Sequence, residues 1–404
     1  MSQSSDPRGS GLGTPVVSRQ RRRDPSNPRR PVRVGRAPRF TVGLVIISML
    51  VPLTATLPPA LPAEAFGGPE GVAPTDGDGT SGDPYRIATL ENLIWVREQT
   101  NNGEGGWSEG TYFLQTADID LISIDDWEPI GIGHPGVSAA PSQSFQGSYD
   151  GDNHTIRNLK ITDNDPYRGL FGYVWGATLE NIRIEDAEVS AGRRSGILLG
   201  ASNCFSCGNA LRTEISRVSV TGSIASDAER VGGIVGNPAR NTFITGRNVF
   251  VGEVTAEGDV GGLVGRASGD SELSFSYARA HVIGTDVASG AGVGILIGNA
   301  STGAGVFEEM YAVGTATVEK GEEHAGVIGI APETTSGGDH IVNDLWYDSA
   351  DDLRLIGNAG DDPHLGWVTV TGGGGLSTAQ MQGASAETNM TGTSGRWDLG
   401  EGGS

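Results

Sequence analysis

GGIVG at residues 232–236 is followed 29 residues later by GGLVG at residues 261–265. Reading outward from this pair, a short apolar run closed by glycine occurs six times. The closing residues are Gly172, Gly200, Gly236, Gly265, Gly298 and Gly329, with spacings of 28, 36, 29, 33 and 31. A second mark keeps step with the first, a small residue two positions before an apolar or small one: Ala187/Val189, Gly222/Ile224, Gly252/Val254, Ala280/Val282 and Gly314/Ala316. From closing glycine to second mark the count is 15, 22, 16, 15 and 16. Self-similarity at a fixed period of this size belongs to stacked-repeat architectures.

The residues around the second mark decide what is stacked. ENIRIEDAEV (180–189), SRVSVTGSI (216–224) and RNVFVGEV (247–254) alternate apolar with polar at a period of two, the pattern of a strand with one buried face. A helix there would carry glycine in every repeat at a cost of about 1 kcal/mol each. Strands of four to six residues between Gly, Asn and Ser turns fit one coil per repeat, each strand pairing with its counterpart in the next coil. Parallel crossovers are right-handed in nearly all cases. The sequence therefore predicts an all-β fold, a right-handed parallel β-helix (β-solenoid) of about six coils over residues 165–348. The repeat glycines would take special turn dihedrals or let neighbouring backbones approach closely.

The flanks read as covers for the open ends of the stack. TLENLIWVRE (89–98) sets Leu90, Leu93, Ile94 and Arg97 on one face behind Thr89 as N-cap, a short N-terminal capping helix. Residues 85–164 form this cap and the first strands. Residues 349–404 are expected to be an irregular C-terminal cap and tail, with Gly372–Gly375 as a flexible break.

Residues 1–39 hold ten of the 28 basic side chains. The uncharged stretch 40–57 and Ala63-Glu64-Ala65 then complete the pattern of a secretory signal over residues 1–65, followed by a linker at 66–84. A retained anchor is the alternative, and either version puts the remainder outside the cytoplasm, secreted or on a bacterial surface. Beyond residue 65 the balance is 18 basic against 46 acidic, about −28 of charge, which opposes binding to nucleic acid or anionic lipid. No membrane contact is expected beyond the N-terminal segment.

Several segments in fixed order resemble bacterial exported proteins carrying the GLUG motif. These are GDPYRIATLENL (82–93), TYFLQTADIDL (111–121), WEPIG (127–131), FQGSYDGDNHTIRNL (145–159), the glycine runs, LWYDSA (345–350) and GLSTAQM (375–381). The resemblance implies a β-helical, extracellular and often adhesin-like protein. Similar segments precede the catalytic region of immunoglobulin-A1-cleaving metallopeptidases. The motif carries no catalytic residues to transfer, and this chain lacks the cell-wall sorting signal of some relatives.

Several other residues are candidates for chemistry. Cys204 and Cys207 form a C-x-x-C inside the one repeat whose marks lie 22 apart, hence in an insertion. A local disulfide pinning that loop is the leading reading, ahead of free thiols and of metal or redox chemistry. The six histidines are scattered and form no H-E-x-x-H; His154 reads as structural. Asp118, Asp120, Asp125, Asp126, Asp150 and Asp152 are the densest carboxylates. Solvated turn residues come first for them, before a calcium site or the paired acids of a glycosidase. Trp127 and Trp346 read as core, Trp107 as exposed. The expectation is a non-enzymatic adhesion or surface-interaction module without catalytic residues, metal or cofactor, whose partner is a glycan or protein on another surface. A polysaccharide-active lyase or glycosidase on the same fold, or a structural spacer of a larger surface protein, are the alternatives.

Overall fold

Alternation became strand wherever the pattern predicted it. Arg183–Ala191, Asn248–Ala256 and Ser276–Gly284 are nine-residue strands, and Ile184, Val189, Phe250, Val254, Ala278 and Val282 are turned into the core. The computed structural model describes residues 69–103, 108–132, 143–203, 211–268, 271–301, 305–332, 339–348, 353–359, 368–377 and 380. Every strand pairing among them is parallel. The fold is a parallel β-solenoid of the right-handed type, with one α-helix among the described residues.

Each coil lays one strand on each of three faces. On the first face Tyr112–Gln115, Ser148–Asp150, Thr178–Glu180, Thr213–Ser216 and Thr242–Thr245 pair in succession. On the second, Arg183–Ala191, Ser219–Ser226, Asn248–Ala256, Ser276–Gly284 and Val306–Val318 do so. Here the second marks are in register: Ala187, Gly222, Gly252, Ala280 and Gly314 stand in one column. The chain turns between these faces on a residue of left-handed backbone, Asn181 (φ 54), Arg217 (55), Arg247 (66), Phe275 (51), Glu309 (52) and Asp344 (47) in successive coils.

The third face carries the closing glycines, and it corrects the coil count. Phe171, Leu199, Val235, Val264, Ile297 and Ile328 are in register, so the six glycines that follow them stack. The column continues at both ends, where Ile130 bridges to Phe171 and Ile328 to Ile356. Gly131 and Gly357 extend it, making eight rungs where six were expected. Each end rung is held by a single bridge, and WEPIG and RLIG lack the Gly-flanked apolar run on which the count rested. The six closing glycines do not take left-handed dihedrals, unlike Gly131 at φ 84; they are there for close approach. A Cβ on Gly265 would lie 2.4 Å from the Val231 nitrogen and 2.5 Å from the Arg230 carbonyl carbon. One on Gly232 would lie 2.2 Å from the Val235 oxygen and 2.7 Å from the Gly265 nitrogen. The opening and closing glycines of each run thus let two layers of backbone touch, so that Val293–Ala300 is buried along its whole length.

The N-terminal end is closed as expected, by helix α1 (Leu90–Asn102). Thr89 Oγ1 accepts from the Asn92 N–H at 3.2 Å, Gly103 ends the helix at φ 71, and Leu93, Ile94 and Val96 are buried. Beneath it Phe113, Phe145 and Phe171 contact one another with ring centroids 5.7 and 5.1 Å apart. Trp127 is in the same core, its Nε1 donating to the Leu170 carbonyl. At the other end the expected break at 372–375 is instead a corner followed by a strand. Gly374–Leu376 pairs with Trp346, Tyr347 and Asp348.

Candidate functional site

Four of the six candidate aspartates, Asp118, Asp120, Asp126 and Asp150, are tied to the corners of the first coils. Asp118 Oδ1 accepts from the Thr155 N–H at 2.9 Å, and its Oδ2 lies 3.3 Å from Arg157 Nη1. Asp120 Oδ1 accepts from Asn158 Nδ2 at 2.7 Å and from the Ile122 N–H at 2.9 Å. Asp150 Oδ1 accepts from Asn181 Nδ2 at 2.7 Å and from the Asp152 N–H at 2.9 Å, and Asp126 from the Thr162 N–H. The Thr155 N–H holds the Asp118 carboxyl below the usual aspartate range, and the Asn158 amide does the same for Asp120. Each carboxylate therefore satisfies a neighbouring turn, the role of Asx residues in turns generally. Among the described residues no group of three or more His, Cys, Asp or Glu could hold a metal ion.

Among the described residues the histidines join no group that could hold a metal ion. His154 Nδ1 lies 3.6 Å from Asp118, and His281 Nδ1 lies 3.0 Å from Thr315 Oγ1 on the outer second face. His340 is buried against Phe307, and that burial lowers its pKa. Cys204, Cys207, Trp107, His134, His364, the apolar stretch 40–57 and residues 381–404 lie outside the described residues. The neck of the cysteine-bearing insertion is described. Buried Asn203 donates through Nδ2 to the Leu211 carbonyl at 3.0 Å and the Arg240 carbonyl at 2.9 Å. Its Oδ1 accepts from Thr213 Oγ1, and its own carbonyl accepts from the Tyr173 hydroxyl at 2.6 Å. Both ends of the insertion are thereby held at one point of the wall.

The second face presents a solvent side that sequence reading did not assemble. Ser219, Val249, Tyr277, Tyr311 and Trp346 fall in one register column. The Tyr277 and Tyr311 rings stack with centroids 5.0 Å apart and planes 18° apart. Trp346 was expected in the core; it is buried, but with Tyr311 and Leu376 in a cluster of its own. The next outward columns are Thr221, Val251, Arg279 and Val313, then Glu188, Ser223, Glu253, His281 and Thr315. The signal was present: Ser219, Val249, Tyr277 and Tyr311 each stand three residues before a second mark. The outer second face thus carries mixed polar and aromatic side chains in rows.

No known protein-family profile matches the chain. It is similar to halomucin of Haloquadratum walsbyi (strain DSM 16790 / HBSQ001), 31% identical over 175 residues, which are 42% of this chain and 2% of halomucin. The chain thus spans a small fraction of that relative's length. Its structure is similar to the crystal structure of a candidate immunoglobulin A1 protease from Bacteroides ovatus, with a TM-score of 0.53 and 22% identity, over 76% of this chain and 87% of that one. At that identity the likeness is one of fold, and the two chains share the same solenoid architecture.

Proposed function

We propose that the chain is a non-enzymatic, exported β-solenoid that acts as an adhesion or surface-interaction module of the GLUG-motif kind. The observation that carries this reading is where the carboxylates are spent. A glycosidic mechanism needs two acids free to exchange protons or attack, and Asp118, Asp120 and Asp150 are engaged by turn amides and side-chain donors. The similarity to halomucin, whose name marks it as mucin-like, supports an extracellular setting. The strongly acidic surface suits a protein that stays soluble there. The partner is a glycan or protein on another surface.

A glycan and matrix-protein array probed with the full chain tests this. Binding to at least one immobilised partner, retained in Asp120→Asn and Asp150→Asn, is the expected outcome. Release of reducing or unsaturated ends from pectin, alginate, xylan or glucan, lost in either variant, would overturn the non-enzymatic reading.

A further inference from the structure

At the corner between the second and third faces, four arginines gather in a protein that is otherwise acidic. Arg194 and Arg230 occupy the same position in successive coils, each just before a paired strand residue (Ser195 and Val231). Both hold left-handed backbone, φ 61 and 68. Asp259 stands at that position one coil on, before Val260. Arg193 reaches Glu229, and Arg230 Nη2 lies 3.5 Å from the same carboxylate. Arg266 Nη1 lies 3.4 Å from buried Asp259, and its Nη2 donates to Ser301 Oγ at 2.9 Å. Arg194 Nη1 donates to the Tyr167 hydroxyl at 2.5 Å, and its guanidinium lies 5.6 Å from that ring's centre.

The corner holds more guanidiniums than carboxylates, with the buried Asn299 Oδ1 also left without a partner. Four guanidiniums offer five N–H groups each, while Glu229 is shared by two of them and Asp259 is engaged by Arg266 and by Asn299 Nδ2. The Nε atoms of Arg194 and Arg230 are buried and have no hydrogen-bond partner. Burial, and then repulsion from Arg266, pull the Arg230 pKa down. Like charges held together this way gain most from added anionic oxygens, which form charge-assisted and often bidentate bonds with guanidinium.

We propose that this corner binds an acidic polysaccharide, its carboxylate or sulfate groups taken by Arg193, Arg194, Arg230 and Arg266. The inference rests on the surface-interaction reading and gives its partner a chemistry. A chain of net charge −21 has no general attraction for polyanions, so retention of one must be local.

Biolayer interferometry of the full chain against immobilised polygalacturonate, heparin, neutral dextran and a DNA duplex, over a range of salt, tests it. Binding to polygalacturonate, to heparin or to both is expected, and the pattern tells carboxylate from sulfate as the group recognised. Arg193→Gln with Arg266→Gln should weaken it about tenfold and flatten its salt dependence. Exposed Arg193→Gln alone, with an unchanged melting temperature, should weaken it less. Arg183→Gln, an exposed arginine of the second face, should leave it unchanged. Failure to bind either acidic polymer, equal binding in the double variant and the parent, or equal binding to DNA would overturn the proposal. Array binding to a neutral glycan or a protein without acidic-polymer binding would overturn it too, while leaving the surface-interaction reading standing.

Discussion

Gly262 illustrates how a single missing Cβ supports the wall. A Cβ there would lie 2.1 Å from the Ile295 carbonyl oxygen and 3.0 Å from Ala280 Cβ. Backbone of the next coil cannot yield without breaking its own pairing, so Gly262→Val should cost about 3 kcal/mol by overpacking and strain. Gly82, with nothing within 4 Å of its Cβ position, is the matched control, and Gly82→Val should melt with the parent. Gly374 would not serve, because its φ of 135 penalises any side chain despite the open space. The corner carboxylates make a different prediction. Asp118 and Asp120 have folded-state pKa values below the ordinary 3.8. Their stabilisation is therefore present above that value and is lost as pH falls through the lower, folded-state values. Thermal melts should be level above about pH 5 and decline below about pH 4, with Asp120→Asn reducing the slope of the decline. At this scale the sequence was readable where one position carried one task, as with Thr89 or the closing glycines. It was not readable at corners where Arg217, Arg247, Phe275 and Glu309 hold left-handed backbone, since those residue types signal no turn.

Within a coil, strands and turns are fixed by two devices of different legibility. The period-two pattern and the paired marks gave strand identity and register in advance, because a one-residue slip would turn Phe250 and Val254 out of the core. The layering of the third face was only half visible. The closing glycines were noticed, whereas the opening ones, Gly196, Gly232, Gly261 and Gly294, matter because the chain folds back on itself, which no local pattern states. The insertion neck depends on Asn203, whose side chain and carbonyl join five residues of three successive coils. Asn203→Ala leaves several buried polar groups unpaired and should cost about 2–4 kcal/mol, read as a fall in the denaturation midpoint. At the N-terminal end Thr89→Ala removes a cap and should cost about 1 kcal/mol, with hydrogen exchange accelerating in the first turn of α1 before anywhere else.

The described residues form one stack whose neighbours in space are 28 to 41 residues apart in sequence at the glycine rungs. That separation is why the aromatic column and the arginine corner escaped sequence reading: their members meet only through stacking, and only a register alignment of all coils assembles them. The same stacking gives the most direct measurement of the fold. Thr178, Glu214, Phe243, Glu272, Val306, Ile341 and Thr369 follow one another in register on the outer first face. Spin labels can be introduced at Thr178 and, in turn, at Glu272, Val306, Ile341 and Thr369, with Cys204 and Cys207 replaced by serine. Electron–electron distances for a parallel stack should then grow in equal steps of about 4.8 Å per coil, with backbone separations near 14, 19, 24 and 29 Å. Distances that fail to rise in that order, or that fall back between Val306 and Thr369, would contradict a single continuous solenoid.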